Sequence, residues 1–229
     1  MKRFVMLALL AGSVVSMVDA EREAQAQPAA ALGHPLPDGS LPDVHDIMLI
    51  ASNLFAAGGE TTARLLGVML KVIGERPEIQ QQLREQRSLL PNFIEECVRL
   101  ETPLQSTFRL TRRATKIGDV EIPAGTTVML LPAAANRDPR KFEAPAEFRL
   151  GRANWRQHLA FGSGIHACAG APLARAEARV SAERLLDRML DIRVSEKAHG
   201  PAGDRRYEYP ANYLIRGLER LHLEFAPVS

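Results

Sequence analysis

The chain has 229 residues and a formal net charge of +2 at pH 7, from 29 Lys and Arg against 27 Asp and Glu. A hydrophobic fraction of 46% with a charged fraction of 24% is ordinary for a globular protein and allows a sizeable core. This small net charge gives no reason to expect a nucleic-acid partner. The two cysteines, Cys97 and Cys168, exclude a disulfide framework and agree with a reducing compartment.

The amino-terminal 37 residues differ in character from the rest. The basic pair Lys2-Arg3 precedes an apolar run over residues 4–18, and small residues follow, which is the layout of a secretory signal. The alternative is an ordinary apolar helix left by a truncated upstream region. The run is shorter than the ~20 residues of a membrane span, and an Ala-, Gln-, Pro- and Gly-rich linker follows it. We therefore expect a signal-like segment and linker over residues 1–37, then one folded part over residues 38–229.

A long helix is predicted to begin at the run S-L-P-D over residues 40–43, where a capping Ser precedes an early Pro. It should end before Gly74 and Pro77. Apolar residues recur at helical spacing between these limits: Ile47, Ile50, Leu54, Leu65, Met69 and Ile73. Because so much of its surface is apolar, we expect this helix to cross the core.

The run A-G-G-E-T-T over residues 57–62 conflicts with its helical surroundings. Each glycine weakens a helix by about 1 kcal/mol relative to Ala, and an acid beside two hydroxyls in an apolar helix needs polar partners. Such conflicts are expected at functional sites. The glycines would leave room for a small molecule above a cofactor, and Glu60 with Thr61 could relay protons. A helix kink with the threonine bonded to the preceding turn is the alternative.

Two shorter helices are predicted over residues 77–87 and 91–101, the second stopped by Pro103. Glu96 and Arg99 are three residues apart in the second of these helices. They share one face and can form an ion pair. An exposed pair of little energetic value is the usual alternative, but part of this helix must be buried because it is otherwise apolar.

Beyond residue 107 the pattern changes to strands. Two β-rich runs, over residues 120–122 and 126–131, flank a P-A-G turn, and a hairpin is predicted between residues 214–218 and 221–225. With a helix over residues 171–189, the predicted fold is mainly α with a smaller β part, in the α+β class.

The most informative run is F-G-S-G-I-H-A-C-A-G over residues 161–170. Its glycines let the backbone turn tightly and approach a flat ligand. The helix that follows presents free N–H groups and a positive dipole end, which favour a thiolate at Cys168. A thiolate held in this way suits the axial position of haem iron, where its electron donation favours O–O cleavage. The alternative is a buried core cysteine in a glycine-rich turn.

This run resembles the haem-binding loop of the cytochrome P-450 family, F-G-x-G-x-H-x-C-x-G, with every fixed position filled. Residues 57–61 resemble the oxygen-activation motif of the family, A/G-G-x-D/E-T, and residues 96–99 resemble its E-x-x-R helix. The three motifs occur in the order of the family, and the resemblance covers residues 38–226. Since the catalytic domain of the family is close to twice this length, the chain is similar to its C-terminal half.

The resemblance implies haem b, iron protoporphyrin IX, as the cofactor and Cys168 as the axial ligand of its iron. It implies that the loop residues Phe161, Gly162 and Gly170 contact the haem, and that Arg109, His158 and His166 donate charge-assisted hydrogen bonds to its propionates. Taken singly, each of those three donors has the alternative of being a surface or capping residue.

The resemblance also implies roles away from the cysteine. Thr61 would be the alcohol that orders the oxygen-bound water, and Glu60 the acid beside it. Residues expected to approach the substrate are Ala57, Gly58, Tyr213 and Leu214. A second arginine, in a later loop, would meet the E-x-x-R pair, so that Glu96, Arg99 and Arg152 form a structural network that shapes the scaffold of the cysteine loop.

The implied function is that of a haem-thiolate monooxygenase, or its C-terminal fragment, which inserts one oxygen atom from O2 into a small apolar organic substrate. A ferredoxin or flavoprotein reductase would deliver the electrons. The alternatives are a non-catalytic haem-binding remnant without the substrate-pocket half, and a peroxide-using variant. A mis-assigned start, a truncated gene product and a fragment that needs a second chain all remain open. We expect a cytoplasmic protein without a membrane partner, although the signal-like start leaves export or membrane association open.

Overall fold

The computed structural model describes residues 3–5, 35 and 39–228, and the statements below concern this part of the chain. Most of the predicted signal-like segment and linker lies outside the described residues. The helices are α1 (Val44–Glu75), α2 (Pro77–Glu85), α3 (Leu90–Leu100), α4 (Pro132–Ala135), α5 (Ala171–Arg188) and α6 (Glu196–His199). The strands are β1 (Arg3–Val5), β2 (Thr107–Leu110), β3 (Thr115–Ile117), β4 (Val120–Ile122), β5 (Thr127–Leu130), β6 (Met189–Val194) and β7 (His222–Pro227). This mixture of long helices and short strands confirms the predicted α+β class.

The long helix α1 has 32 residues and is capped by Asp43, whose side chain accepts the His45 N–H at 2.7 Å. The cap is therefore Asp43 rather than the predicted Ser40. The buried residues of α1 all lie in its second half: Leu65, Leu66, Val68, Met69, Leu70, Val72, Ile73 and Gly74. The stretch over residues 48–60 is exposed throughout. The prediction that α1 crosses the core is thus right for one half of the helix only.

The core forms where this second half of α1 packs against α2, α3, α5 and β6. Gly74 is needed at the crossing of α1 with the sheet, because an added Cβ would lie 3.1 Å from side-chain atoms of both Leu223 and Val194. Helices α3 and α5 also pack on each other and bury Phe93 and Ala178 completely. This contact brings the E-x-x-R helix close to the helix that follows Cys168.

The sheets are small and antiparallel. β1, β7 and β6 form one sheet in that order, β2 pairs with β5, and β3 pairs with β4 across residues 118–119. The predicted P-A-G turn lies between β4 and β5, which do not pair with each other. The predicted C-terminal hairpin is wrong, since β7 pairs with β6 and β1 rather than with residues 214–218. That segment makes an isolated bridge from Ile215 to Leu104 instead. Of the helices described, none has the length and apolar character that crossing a membrane requires.

Candidate functional site

Cys168 is held in a tightly turned loop between the short 3-10 turn Gly164–His166 and α5. Its backbone N–H donates to the carbonyl oxygen of Phe161 at 2.8 Å and closes the loop. Gly162 and Gly164 have φ values of 71° and 75°, in the left-handed region that glycine adopts without strain. The path of the backbone therefore favours glycine at positions 162 and 164 of the motif.

The two cysteines occupy opposite environments. Cys97 is fully buried in the core, and burial, together with the charge of Glu96, raises the pKa of its thiol. Cys168 is exposed. Cys168 is therefore not the buried core cysteine of the alternative, whereas Cys97, on helix α3, is part of the core.

Helix α5 begins at Ala171, three residues after Cys168, with Gly170 as its N-cap. A Cβ added to Gly170 would lie 3.8 Å from the Cys168 Sγ atom, so the thiol lies beside the start of the helix. The first N–H groups of a helix have no intrahelical partners and carry the positive end of the helix dipole. The Cys168 sulfur therefore lies next to these N–H groups and this positive dipole end.

His158 lies elsewhere than predicted. Its side chain is 2% exposed, its Nε2 atom lies 2.7 Å from Oε2 of Glu95, and its Nδ1 atom accepts the Ala160 N–H at 3.2 Å. With Nδ1 as acceptor, Nε2 carries the proton and donates it to the carboxylate. Both ring nitrogens are occupied within the protein, so the assignment of His158 as a propionate donor is wrong.

The other two predicted propionate donors remain accessible. Arg109 lies on β2 with its side chain exposed, and it donates to the Phe108 carbonyl at 2.8 Å. His166 is exposed at the end of the 3-10 turn. Neither side chain is paired with a carboxylate of the described residues. His166 lies two residues before Cys168, so its side chain can meet an anionic group that approaches the loop.

The predicted oxygen-activation residues lie on an unbroken stretch of α1. Thr61 Oγ1 donates to the carbonyl of Ala57 at 2.6 Å, as in the alternative considered for this run, but without a break in the helix. Glu60 pairs with Arg64 at 2.8 Å and is 46% exposed. Added Cβ atoms at Gly58 and Gly59 would meet nothing within 4 Å, so the helix surface here is open.

Glu96, Arg99 and Arg152 meet in the interior. The two carboxylate oxygens of Glu96 lie 2.7 and 2.8 Å from Arg99 nitrogens and 3.0 and 3.1 Å from Arg152 Nε. The side chains are 0%, 0% and 4% exposed, so all three charges are removed from water. The arginines also donate to backbone carbonyls in the loop before the cysteine, those of Asn136, Glu143, Ala144, Pro145 and Glu147. The network therefore joins α3 to the chain that leads to Cys168.

Of the predicted substrate-side residues, Tyr213 lines a cleft that Ala57, Gly58 and Leu214 do not line. Tyr213 is 69% exposed and helps line an open cleft of about 330 Å³, together with Met129, Leu131 and Arg216. The carbonyl of Leu214 accepts the Gln105 N–H at 2.7 Å, which joins this segment to the one that follows α3. Ala57 and Gly58 lie on the exposed half of α1 and do not line this cleft.

Comparison with known proteins agrees with these motifs. The profile of the family described as Cytochrome P-450 matches residues 36–191, which is more than half of the chain. The chain belongs to the cytochrome P-450 family. Membership of this family implies a haem cofactor.

Relatives share this part of the fold but are longer. Cytochrome P-450 144 of Mycobacterium tuberculosis is 46% identical over 170 residues, which are 74% of this chain and 37% of that protein. The structure of substrate-free cytochrome P-450 CYP150A6 from Mycobacterium marinum has a TM-score of 0.83 at 57% identity, and covers 86% of this chain and 48% of that one. CYP109E1 from Bacillus megaterium in complex with corticosterone has a TM-score of 0.76 at 29% identity, with 85% and 50% coverage. The chain spans about half the length of the solved relatives and 37% of the curated one.

The residues around Cys168 fit a haem group. The loop offers an exposed thiol, the apolar Ile165 side chain three residues before Cys168 is 96% exposed, and His166 has no carboxylate partner among the described residues. The described part of the chain holds no group of three or more His, Cys, Asp or Glu that could bind a metal ion. A single cysteine thiolate is one of the protein ligands that hold haem iron.

Sequence reasoning missed three residues around this site. The buried Glu95 forms an ion pair with the partly exposed Arg175, with an Nε–Oε1 distance of 2.5 Å. Asn136 is fully buried, and its side chain binds Thr102 Oγ1 and the Leu159 N–H. The one available signal was a second acid directly before Glu96 in a helix that is otherwise apolar.

Proposed function

We propose that this chain forms the haem-binding part of a monooxygenase, with Cys168 as the axial thiolate ligand of haem b. The observation that supports this most is the exposed Cys168 thiol at the start of α5, in a loop whose glycines turn its backbone to the surface. The proposal joins this geometry to membership of a family whose name denotes a haem protein. The haem-contacting loop residues would be Phe161, Gly162 and Gly170.

Haem, when bound, supplies the redox chemistry, and the protein supplies binding, orientation and protons. Arg109 and His166 would hold the propionates through charge-assisted hydrogen bonds. The reaction proposed takes one O2, two electrons and two protons, inserts one oxygen atom into a small apolar organic substrate and releases the other as water. A ferredoxin or flavoprotein reductase would deliver the electrons singly.

Proton delivery is proposed for Glu60 and Thr61. The Glu60 carboxylate is half-exposed, so it can exchange protons with solvent, and Arg64 holds it at 2.8 Å. The Thr61 hydroxyl donates to the Ala57 carbonyl, so its oxygen retains lone pairs that can accept a hydrogen bond from a water. Ala57 and Gly58 would face the substrate from this helix, and Tyr213 and Leu214 from the C-terminal segment.

A non-catalytic haem-binding remnant is the second candidate. The observation that favours it is the exposed apolar surface on the first half of α1, where Met48, Leu54 and Phe55 are 62%, 57% and 75% exposed. A substrate pocket must exclude water, and an open helix face does not do so. In that case haem would bind but no substrate would be oxidised.

The deciding experiment is the carbon monoxide difference spectrum of the reduced chain, expressed with haem supply. The long-wavelength band that gives the family its name is expected, and the Cys168→Ala variant should lose it. Cys97→Ala is the matched control, and it should keep the band because Cys97 is buried away from the loop. A shorter-wavelength band alone would mean haem without the thiolate bond, and no haem uptake would contradict the proposal. With the band present, turnover with a surrogate ferredoxin separates the enzyme from the remnant.

A further inference from the structure

Glu95 is a buried carboxylate that the proposed reaction does not use. It lies on α3 directly before Glu96, but its side chain has different partners. Oε2 lies 2.7 Å from His158 Nε2, and the fork of Arg175 meets both oxygens at 2.5 and 3.0 Å. Burial works against the charge, but the hydrogen bonds from His158 and Arg175 lower the pKa of Glu95 to about 2. The carboxylate is therefore ionised at neutral pH although it is 2% exposed.

Both partners of Glu95 lead to the cysteine loop. Arg175 on α5 places its guanidinium 4.5 Å from the centroid of the Phe161 ring. The carbonyl of the same Phe161 accepts the Cys168 N–H at 2.8 Å. His158 lies three residues before Phe161 and accepts the Ala160 N–H. The Glu95 carboxylate thus holds the start of the cysteine loop through His158. Through Arg175 and Phe161 it also supports the hydrogen bond that closes the loop.

The geometry of Arg175 suits a positioning role. Its side chain is 43% exposed and faces the loop, while its carboxylate partner lies in the interior. The hydrogen bond to Glu95 raises the pKa of Arg175 most, burial opposes the rise, and the charges of Glu95 and Cys168 add to it. A guanidinium can chelate a carboxylate and lie over a ring at once, which an ammonium cannot do with the same geometry.

We propose that Glu95, acting through His158 and Arg175, is a positioning residue that holds the cysteine loop closed and orients Cys168 toward its ligand. The link to haem rests on the proposed function, but the effect on the loop itself does not. Glu95 and its two partners do no chemistry in this proposal.

The first test is hydrogen–deuterium exchange of the full chain without haem. Arg175→Gln is expected to accelerate exchange in the peptide that contains the Cys168 N–H by about tenfold, because the Phe161 carbonyl loses its support. Protection in the buried half of α1 should not change. Arg179→Gln is the matched control, one turn further along α5 in an exposed pair with Glu183 at 3.1 Å, and it should leave the loop unchanged. Unchanged loop exchange in Arg175→Gln, or equal acceleration throughout the protein, would overturn the proposal.

A conservative variant separates geometry from charge. Arg175→Lys keeps the charge but not the planar fork, so loop exchange should stay faster than in the wild type. Full restoration by lysine would mean that charge alone matters and would contradict the positioning role. Glu95→Gln should accelerate hydrogen exchange in the same peptide.

Haem ligation gives an independent readout. After expression with haem supply, Arg175→Gln should increase the share of the shorter-wavelength carbon monoxide band at least about twofold relative to Arg179→Gln. Equal shares in the two variants would contradict the role toward the ligand. If the wild type itself takes up no haem, the proposed function fails, but the exchange experiment still decides whether Glu95 holds the loop.

Discussion

At the scale of single residues, environment separates side chains of the same type. Cys97 and Cys168 are both free thiols, yet one is enclosed by the core and the other is turned to the surface by two left-handed glycines. Glu95 and Glu96 are neighbours in sequence, but Glu95 binds His158 and Arg175, whereas Glu96 binds Arg99 and Arg152. Residue type alone therefore assigns no role here, and the partners decide it.

The alcohol of Thr61 is expected to matter for coupling. In haem-loaded protein that turns over, Thr61→Ala should consume electrons with less product, because the hydroxyl that orders a water is lost while the helix is kept. Thr62→Ala removes the neighbouring hydroxyl and serves as the control. The measurement is product formed per reductant consumed. Equal coupling in Thr61→Ala and the wild type would argue against a proton-relay role.

Gly217 is expected to tolerate no side chain. A Cβ there would overlap Cδ of Arg64, whose guanidinium binds the carbonyls of Gly217 and Leu218 at 3.1 and 3.3 Å. Gly217→Ala should lower the free energy of unfolding by about 1–3 kcal/mol through overpacking. At Gly67 on α1 an added Cβ would meet nothing within 4 Å, so Gly67→Ala should raise the free energy of unfolding by up to about 1 kcal/mol. Urea unfolding measures both, and a neutral Gly217→Ala would contradict the close contact.

At the scale of elements, ion pairs hold α3 to the parts of the chain around it. Glu96 binds Arg152, which lies in the loop before Cys168, and Glu95 binds Arg175 of α5. Buried charges of this kind are costly unless each is fully hydrogen-bonded, so the network specifies how these elements dock. Both pairs join residues at least 56 positions apart.

Removing one charge from the buried network should be costly. Glu96→Gln leaves Arg99 and Arg152 buried without a carboxylate, and we expect the free energy of unfolding to fall by about 3–5 kcal/mol. Glu183→Gln breaks only the exposed ion pair with Arg179 on α5 and should change the free energy of unfolding little. Denaturant unfolding of the two variants checks this. A similar loss in both would show that burial does not set the cost.

Acid should loosen the contact between α3 and α5. The pKa of Glu95 is lowered from 4.5 to about 2, so the unfolded chain binds this proton at a higher pH than the native protein does. Its contribution to stability is present above pH 4.5 and is lost as the pH falls toward 2. The difference in Tm between the wild type and Glu95→Gln should therefore narrow across this window. Thermal scans at several pH values measure it, and a constant difference would contradict the ionised pair.

At the scale of the whole molecule, the second half of α1 is packed in the core and the first half is exposed to solvent. The chain spans 48% of the Mycobacterium marinum relative, and residues 48–60 of α1 are exposed. Buried apolar surface stabilises the folded state by about 25 cal/mol per Å². The exposed apolar face of α1, which includes Met48, Leu54 and Phe55, contributes nothing to the stability of the fold while it stays in water. A contiguous apolar patch of this kind favours association with other apolar surfaces.

This face should bind an apolar fluorescent dye. Replacing Leu54 and Phe55 together by Ser should reduce dye binding without lowering the Tm, because neither side chain is packed in the core. Leu65→Ser, in the buried half of the same helix, should lower the Tm strongly. Dye fluorescence and thermal unfolding measure the two effects. A lower Tm in the double variant would mean that the face is packed in solution.

The amino-acid sequence by itself determined the family, the cysteine loop and the bounds of most helices. These features depend on local patterns: glycines where the backbone must turn, an E-x-x-R pair on one helix face, and apolar residues at helical spacing. Only the tertiary structure decided that His158 faces Glu95, that β7 pairs with β6, and that α1 is buried over one half. Each of these outcomes depends on contacts between segments far apart in the chain, whose relative placement local spacing does not encode.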